Sequence, residues 1–136
     1  MKKFLLVLAL LAPFSAVAEL DVVDAWIKNL PPSVPVRAGY MTIYNTGDSE
    51  VRILSVSSEA FASVEIHRSY MEDGMMRMEP VESLGIAPGA SLQLAPGGYH
   101  LMMMQPTEPT KPGQAIGIVL KLDDGSSKQL MMTVVK

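Results

Sequence analysis

Apolar and polar residues along this chain alternate in short runs separated by turn residues, and no stretch sustains a 3.6-residue period. Alternation of this kind predicts strands buried on one face, near 21–28, 38–45, 50–57, 62–70, 75–81, 91–94, 99–105, 115–122 and 129–135. The breaks between them are rich in Gly, Pro and Asp: Pro31-Pro32-Ser33, Thr46-Gly47-Asp48, Asp73-Gly74, Pro88-Gly89, Pro96-Gly97-Gly98 and Asp123-Asp124-Gly125. The segment 106–112 is loop, because prolines at 106, 109 and 112 cannot donate to a ladder. The expectation is an all-β domain of about eight to nine antiparallel strands, packed as a sandwich or barrel. Trp26, Tyr40, Ile43, Ile53, Leu54, Val56, Ile118, Leu120 and Val134 are its expected core.

The N-terminus departs from this pattern. Lys2 and Lys3 precede a short apolar run, Phe4 to Ala12, and Ala16-Val17-Ala18 is an A-x-A cleavage site. These features predict a signal peptide over 1–18, removed on export to the periplasm, and a single β-domain over 19–136. The apolar run is short of the roughly 20 residues that span a bilayer. No later stretch qualifies either, so no membrane insertion of the mature chain is expected, and no cysteine stands at the cleavage site to carry a lipid.

Charge and cysteine content narrow the chemistry. The net charge is −3, and it becomes more negative once Lys2 and Lys3 leave. An acidic domain is a poor ligand for nucleic acid, whose binding rests on Lys and Arg neutralising phosphates. With no cysteine the chain can form neither disulfides nor thiolate metal sites of zinc or blue-copper type. It has two histidines and no recognisable catalytic motif, so an enzyme is not expected.

Methionine is the outlier. Of 11 methionines, Met71, Met75, Met76, Met78, Met102, Met103 and Met104 fall in one region, alongside both histidines, His67 and His100. Asp73-Gly74 is a two-residue hairpin signal. It would set Met71 opposite Met76 and Ser69 opposite Met78, leaving His67 and Met78 diagonal neighbours on one face. A three-residue loop would put them on opposite faces. His100 and Met102 are two apart and also share a face. Taken singly, a strand histidine is ordinary and a methionine fills core gaps. Taken together, two imidazoles and two thioethers suit Cu(I), because thioether sulfur is soft and serves Mg²⁺ or Ca²⁺ poorly. Four neutral ligands leave the ion's charge uncancelled, so such a site should hold Cu(I) and cede it to a thiolate acceptor.

The spacing His67-x10-Met78-x21-His100-x-Met102 resembles the signature of the PCu(A)C family of periplasmic copper chaperones. Ala38-Gly39-Tyr40-Met41-Thr42-Ile43, Met71-Glu72-Asp73-Gly74 and Pro96-Gly97-Gly98-Tyr99-His100-Leu101-Met102 are similar to the family's blocks as well. The resemblance implies a cupredoxin-like antiparallel β-sandwich of Greek-key type and a monomer carrying one Cu(I) at His67, Met78, His100 and Met102. It implies delivery to the Cu(A) subunit of cytochrome c oxidase, directly or with a Sco-type thiol protein. The alternative is copper sequestration without a dedicated partner, and a non-metal interaction module is the third reading. Family members often carry a methionine within two residues of the first histidine, where this chain has Arg68 and Ser69, and some carry a Met/His-rich tail that adds a Cu(II) site; Met131-Met132-Thr133-Val134-Val135-Lys136 holds no histidine, so a second, Cu(II) site is not expected.

Met71, Met76 and Met104 share the faces of the four candidates and are open as alternative ligands or as a docking rim. Met75 and Met103 should point the other way, into the core. Met131 and Met132 belong to no motif, and Glu72 and Asp73 read as a solvated turn.

Overall fold

Ten strands make up the computed structural model, which describes residues 19–136; the leader expected over 1–18 lies outside the described residues. They are β1 (Leu20–Lys28), β2 (Val36–Asn45), β3 (Val51–Ser57), β4 (Phe61–Glu72), β5 (Met75–Pro80), β6 (Leu84–Ile86), β7 (Ser91–Leu94), β8 (Tyr99–Pro106), β9 (Ala115–Leu122) and β10 (Ser127–Val135). All nine strands expected from the alternation are present. The tenth, β6, is three residues long, too short to show a period. Among the described residues there is no helix long and apolar enough to cross a membrane.

The strands run β5-β4-β8-β2-β1-β10-β9-β3-β6, and a further pairing of β4 with β3 closes the sheet on itself, barrel-like. Closure leaves the short strands β5 and β6 as flanks, which protects the long edges from pairing with other chains. One pair, β1 with β10, is parallel; the others are antiparallel. The inward positions of each strand form one core, including Ile27, Met41, Ile43, Ile53, Leu101, Met103, Ile118, Leu120, Met132 and Val134. Gly39 lies where β2 passes closest to this core. A Cβ there would meet Met103 Sδ and Met132 Cε at 3.2 Å, so any larger residue would push those methionines aside.

Two bulges redirect side chains that simple alternation had placed inside. In β3 the register against β9 shifts between Ile53 and Ser55. Leu54 and Ser55 therefore both face outward while Ile53 and Val56 stay buried, and Leu54 is exposed rather than core. In β1 the register against β2 shifts between Val23 and Trp26, around Asp24 at φ 52°. Leu20 is buried upstream of the bulge and Ile27 downstream of it, so Trp26 changes faces and points outward. Tyr40, also expected in the core, alternates with buried Gly39 and Met41 and is only half-buried. The two rings pack together outside the barrel, centroids 4.6 Å apart.

Candidate metal centre

The hairpin of β4 and β5 turns on two residues, as its Asp-Gly signal requires. Asp73 and Gly74 have φ of 51° and 77°, both in the left-handed region that matches the twist of paired strands. The register follows: Glu72 faces Met75, Met71 faces Met76, Ser69 faces Met78 and His67 faces Pro80. His67 and Met78 thus share a face as diagonal neighbours. Met75 lies on the other face, as expected, but it is exposed rather than core. The reason is position: the β4–β8 ladder ends at Arg68 with Tyr99, so the hairpin tip outruns the sheet and no second layer covers it.

β8 brings in the other two candidates. Its register sets His100 directly opposite His67, Met102 opposite Glu65 and Met104 opposite Ser63. Met103, between them, points inward and is fully buried. His67, Met78, His100 and Met102 therefore lie on one outer face of three adjacent strands. The imidazole centroids are 5.8 Å apart, with ring planes at 52°. His100 is buried at 4 % exposure, whereas Met78 is 56 % exposed, so the group runs from sheltered rings to an open thioether.

Hydrogen bonding decides which imidazole nitrogens are free. Glu65 Oε2 lies 2.7 Å from His67 Nε2. A carboxylate only accepts, so Nε2 carries the proton and Nδ1 keeps its lone pair. His100 Nδ1 donates to the Gly98 carbonyl at 3.2 Å, which leaves the lone pair on Nε2. The two remaining nitrogens, His67 Nδ1 and His100 Nε2, are buried and have no hydrogen-bond partner. Leaving a buried polar atom unpaired costs about 1–3 kcal/mol each. Two such atoms on directly opposed residues, beside thioethers, fit a metal that accepts neutral nitrogen and sulfur. Among the described residues no group of three or more His, Cys, Asp or Glu is placed to hold an ion.

Three neighbours, Glu65, Tyr40 and Trp26, were not among the site residues expected from the sequence, where Trp26 was weighed as a site wall and placed in the core. Glu65 orients His67, and the signal for it was the i, i+2 spacing that puts both on one face. Tyr40 on β2 and Trp26 on β1 extend the same face. Ala38 pairs with Met102, so Tyr40, two residues on, continues the same face toward His100, and Trp26 pairs with Tyr40. Burial of the Tyr40 phenol raises its pKa. A groove of about 750 Å³ lies elsewhere, over β9 and β10; Glu59 is its one charged lining residue.

The family model for LpqE-like lipoproteins matches residues 20–134. The chain is 30% identical over 115 residues to Lxx21020 of Leifsonia xyli subsp. xyli, a protein named as a lipoprotein; the match covers 84% of this chain and 68% of that one. It is 26% identical over 117 residues to RP573, an uncharacterized protein of Rickettsia prowazekii, covering 83% of this chain and 65% of that one. The chain thus spans about two thirds of these relatives' length. Among solved structures, the copper-bound PCuAC domain from PmoF2 superposes with a TM-score of 0.73 at 20% identity, over 89% of this chain and 96% of that one. Apo-DR1885 from Deinococcus radiodurans superposes at 0.67 with 26% identity, over 100% of this chain and 94% of that one. Its Cu(I) form gives 0.62 with 28% identity, over 90% and 80%. The all-β barrel is thus the cupredoxin-like fold of those domains, and the chain belongs to the LpqE-like family of PCuAC domains.

Proposed function

We propose that this protein is a periplasmic copper chaperone that carries one Cu(I) at His67, Met78, His100 and Met102. The observation that carries the reading is the pair of buried, unpartnered lone pairs on His67 Nδ1 and His100 Nε2, on residues directly opposed across β4 and β8. Cu(I) is the cargo here. It would take both nitrogens without displacing a proton, because the other nitrogen of each ring already carries one. Met102 and Met78 complete the set from either side. The DR1885 relative was solved with Cu(I) and the PmoF2 domain with copper, which supports the same cargo for this chain.

The arrangement also favours release. No thiolate binds the ion, and Met78 is exposed, so an incoming thiolate can displace it first. Neutral ligands hold Cu(I) less firmly than charged sulfur does, which sets the direction of transfer toward a Cu(A) subunit or a Sco-type thiol protein. Export with a cleaved leader is part of the same proposal; relatives named as lipoproteins support export.

Transfer is the direct test. The Cu(I)-loaded protein is mixed anaerobically with an apo dithiolate acceptor, and the His67 and His100 ring resonances are followed by NMR. Return of both to their apo positions at one equivalent of acceptor is the expected result. Retention of copper at excess acceptor would replace delivery by sequestration.

Glu65 holds the ring of His67 by its Nε2–H, so it acts on copper through His67. Removing such a carboxylate partner weakens metal binding by about 10- to 100-fold. Glu65→Gln should fall in that range in a Cu(I) competition titration, with the fold intact by circular dichroism. Wild-type affinity would show that the His67 ring is oriented by packing alone.

A further inference from the structure

The tip of the β4–β5 hairpin has two unlike faces. One carries Arg68, Tyr70, Glu72, Arg77 and Glu79, tied together by the Arg77–Glu72 and Arg68–Glu79 ion pairs and by Arg68 over the Tyr70 ring, with Met75 the single methionine among them. The other carries His67, Ser69, Met71, Met76 and Met78. Met71, Met76 and Met78 are 62%, 58% and 56% exposed. Folding does not reward them there, since a methionine stabilises by burial and these stay in water. Their spacing is that of a ligand set. Met71 and Met76 are directly opposed, about 5 Å apart at Cβ, and Met78 is diagonal to Met71. Three thioethers on flexible stems can close on one soft ion.

Met78 stands opposite Ser69, midway between Met71 and His67 on β4. It is therefore a diagonal neighbour of both, and the side chain opposite it, Ser69, is small. We infer that Met71, Met76 and Met78 form an outer, all-thioether Cu(I) site that receives the ion first and passes it inward with Met78 as the pivot. The inference rests on the inner site proposed above. No redox step is involved. The bonds from Cu(I) to Met71 and Met76 sulfur break as bonds to His67 Nδ1, His100 Nε2 and Met102 sulfur form, the Met78 bond is kept, and no proton moves. Two imidazoles bind more strongly than two thioethers, so the transfer runs inward.

Two measurements test this, both anaerobic with Cu(I) itself. In the first, methionine methyl groups are ¹³C-labelled in a His100→Ala variant, which cripples the inner site. Added Cu(I) should shift the Met71, Met76 and Met78 methyls together; unmoved Met71 and Met76 methyls would overturn the outer site. In the second, Met71→Leu/Met76→Leu keeps the apolar area of the tip and removes both sulfurs. Loading from a coloured Cu(I)–chelator complex, followed by stopped flow, should slow about tenfold, within the range over which association rates vary among variants of one site. Equilibrium affinity at the inner site should stay within about twofold of wild type, since neither residue belongs to it. Unchanged loading would mean that the methionines form an apolar docking rim and take no part in copper entry. Failure of the inner site shows separately, as His67 and His100 ring resonances that ignore the first equivalent of Cu(I) in the wild-type protein.

Discussion

His100→Ala should lose at least about a hundredfold in Cu(I) affinity. Removing a group that merely orients a ligand already costs about 10- to 100-fold, and His100 would supply a ligand nitrogen itself. It is also the most sheltered of the four candidates, so no water can take its place at low cost. The apo variant should remain folded. Truncating a buried ring leaves a cavity, but it also removes the unpartnered Nε2, whose burial costs about 1–3 kcal/mol. The measurement is a chelator competition alongside thermal unfolding of the apo form. A variant that binds Cu(I) like wild type would remove His100 from the site. A variant that is markedly less stable without copper would mean that the ring is there for packing.

Cu(I) should raise the unfolding temperature of the wild-type domain by about 15 °C at a free concentration a thousandfold above Kd. Binding to the native state alone contributes about 4 kcal/mol at that ratio. A domain of this length shifts by about 4 °C per kcal/mol. An ion shared by β4, β5 and β8 would tie the hairpin to the sheet that its tip outruns. Mg²⁺ at the same concentration should do nothing, because thioether and neutral imidazole do not compete with its water shell. An unchanged melting temperature under Cu(I) would favour the reading as an interaction module without a metal.

The two predictions differ in how far the sequence supports them. That Met78 shares a face with His67 as its diagonal neighbour was legible from the chain alone, because both ends of the inference are local. Asp73-Gly74 determines a two-residue turn, and strand periodicity then determines which side chains share a face. Likewise His100 and Met102 on one side of β8, with Met103 on the other, follow from alternation within a single strand. The nine strands were legible for the same reason.

What lay beyond the sequence is whatever depends on the meeting of distant segments. Nothing local states that β8 pairs with β4 in the register that sets His100 against His67; closure of the barrel decides it. The unpartnered nitrogens exist only because that register buries both rings while Glu65 and Gly98 occupy their other nitrogens. Trp26 and Leu54 were misplaced because a bulge adds one residue to a ladder, and the extra residue is visible only against its partner strand. Met75 was misplaced because alternation states which face a side chain takes, whereas burial depends on whether a second layer covers that face. The sequence by itself determined the donor types, their pairing within each hairpin or strand, and hence a soft, thiol-free set suited to Cu(I). The tertiary structure decided that the two halves face each other, that the rings are sheltered and the outer thioethers open, because long-range register and layer coverage are properties of the closed sheet.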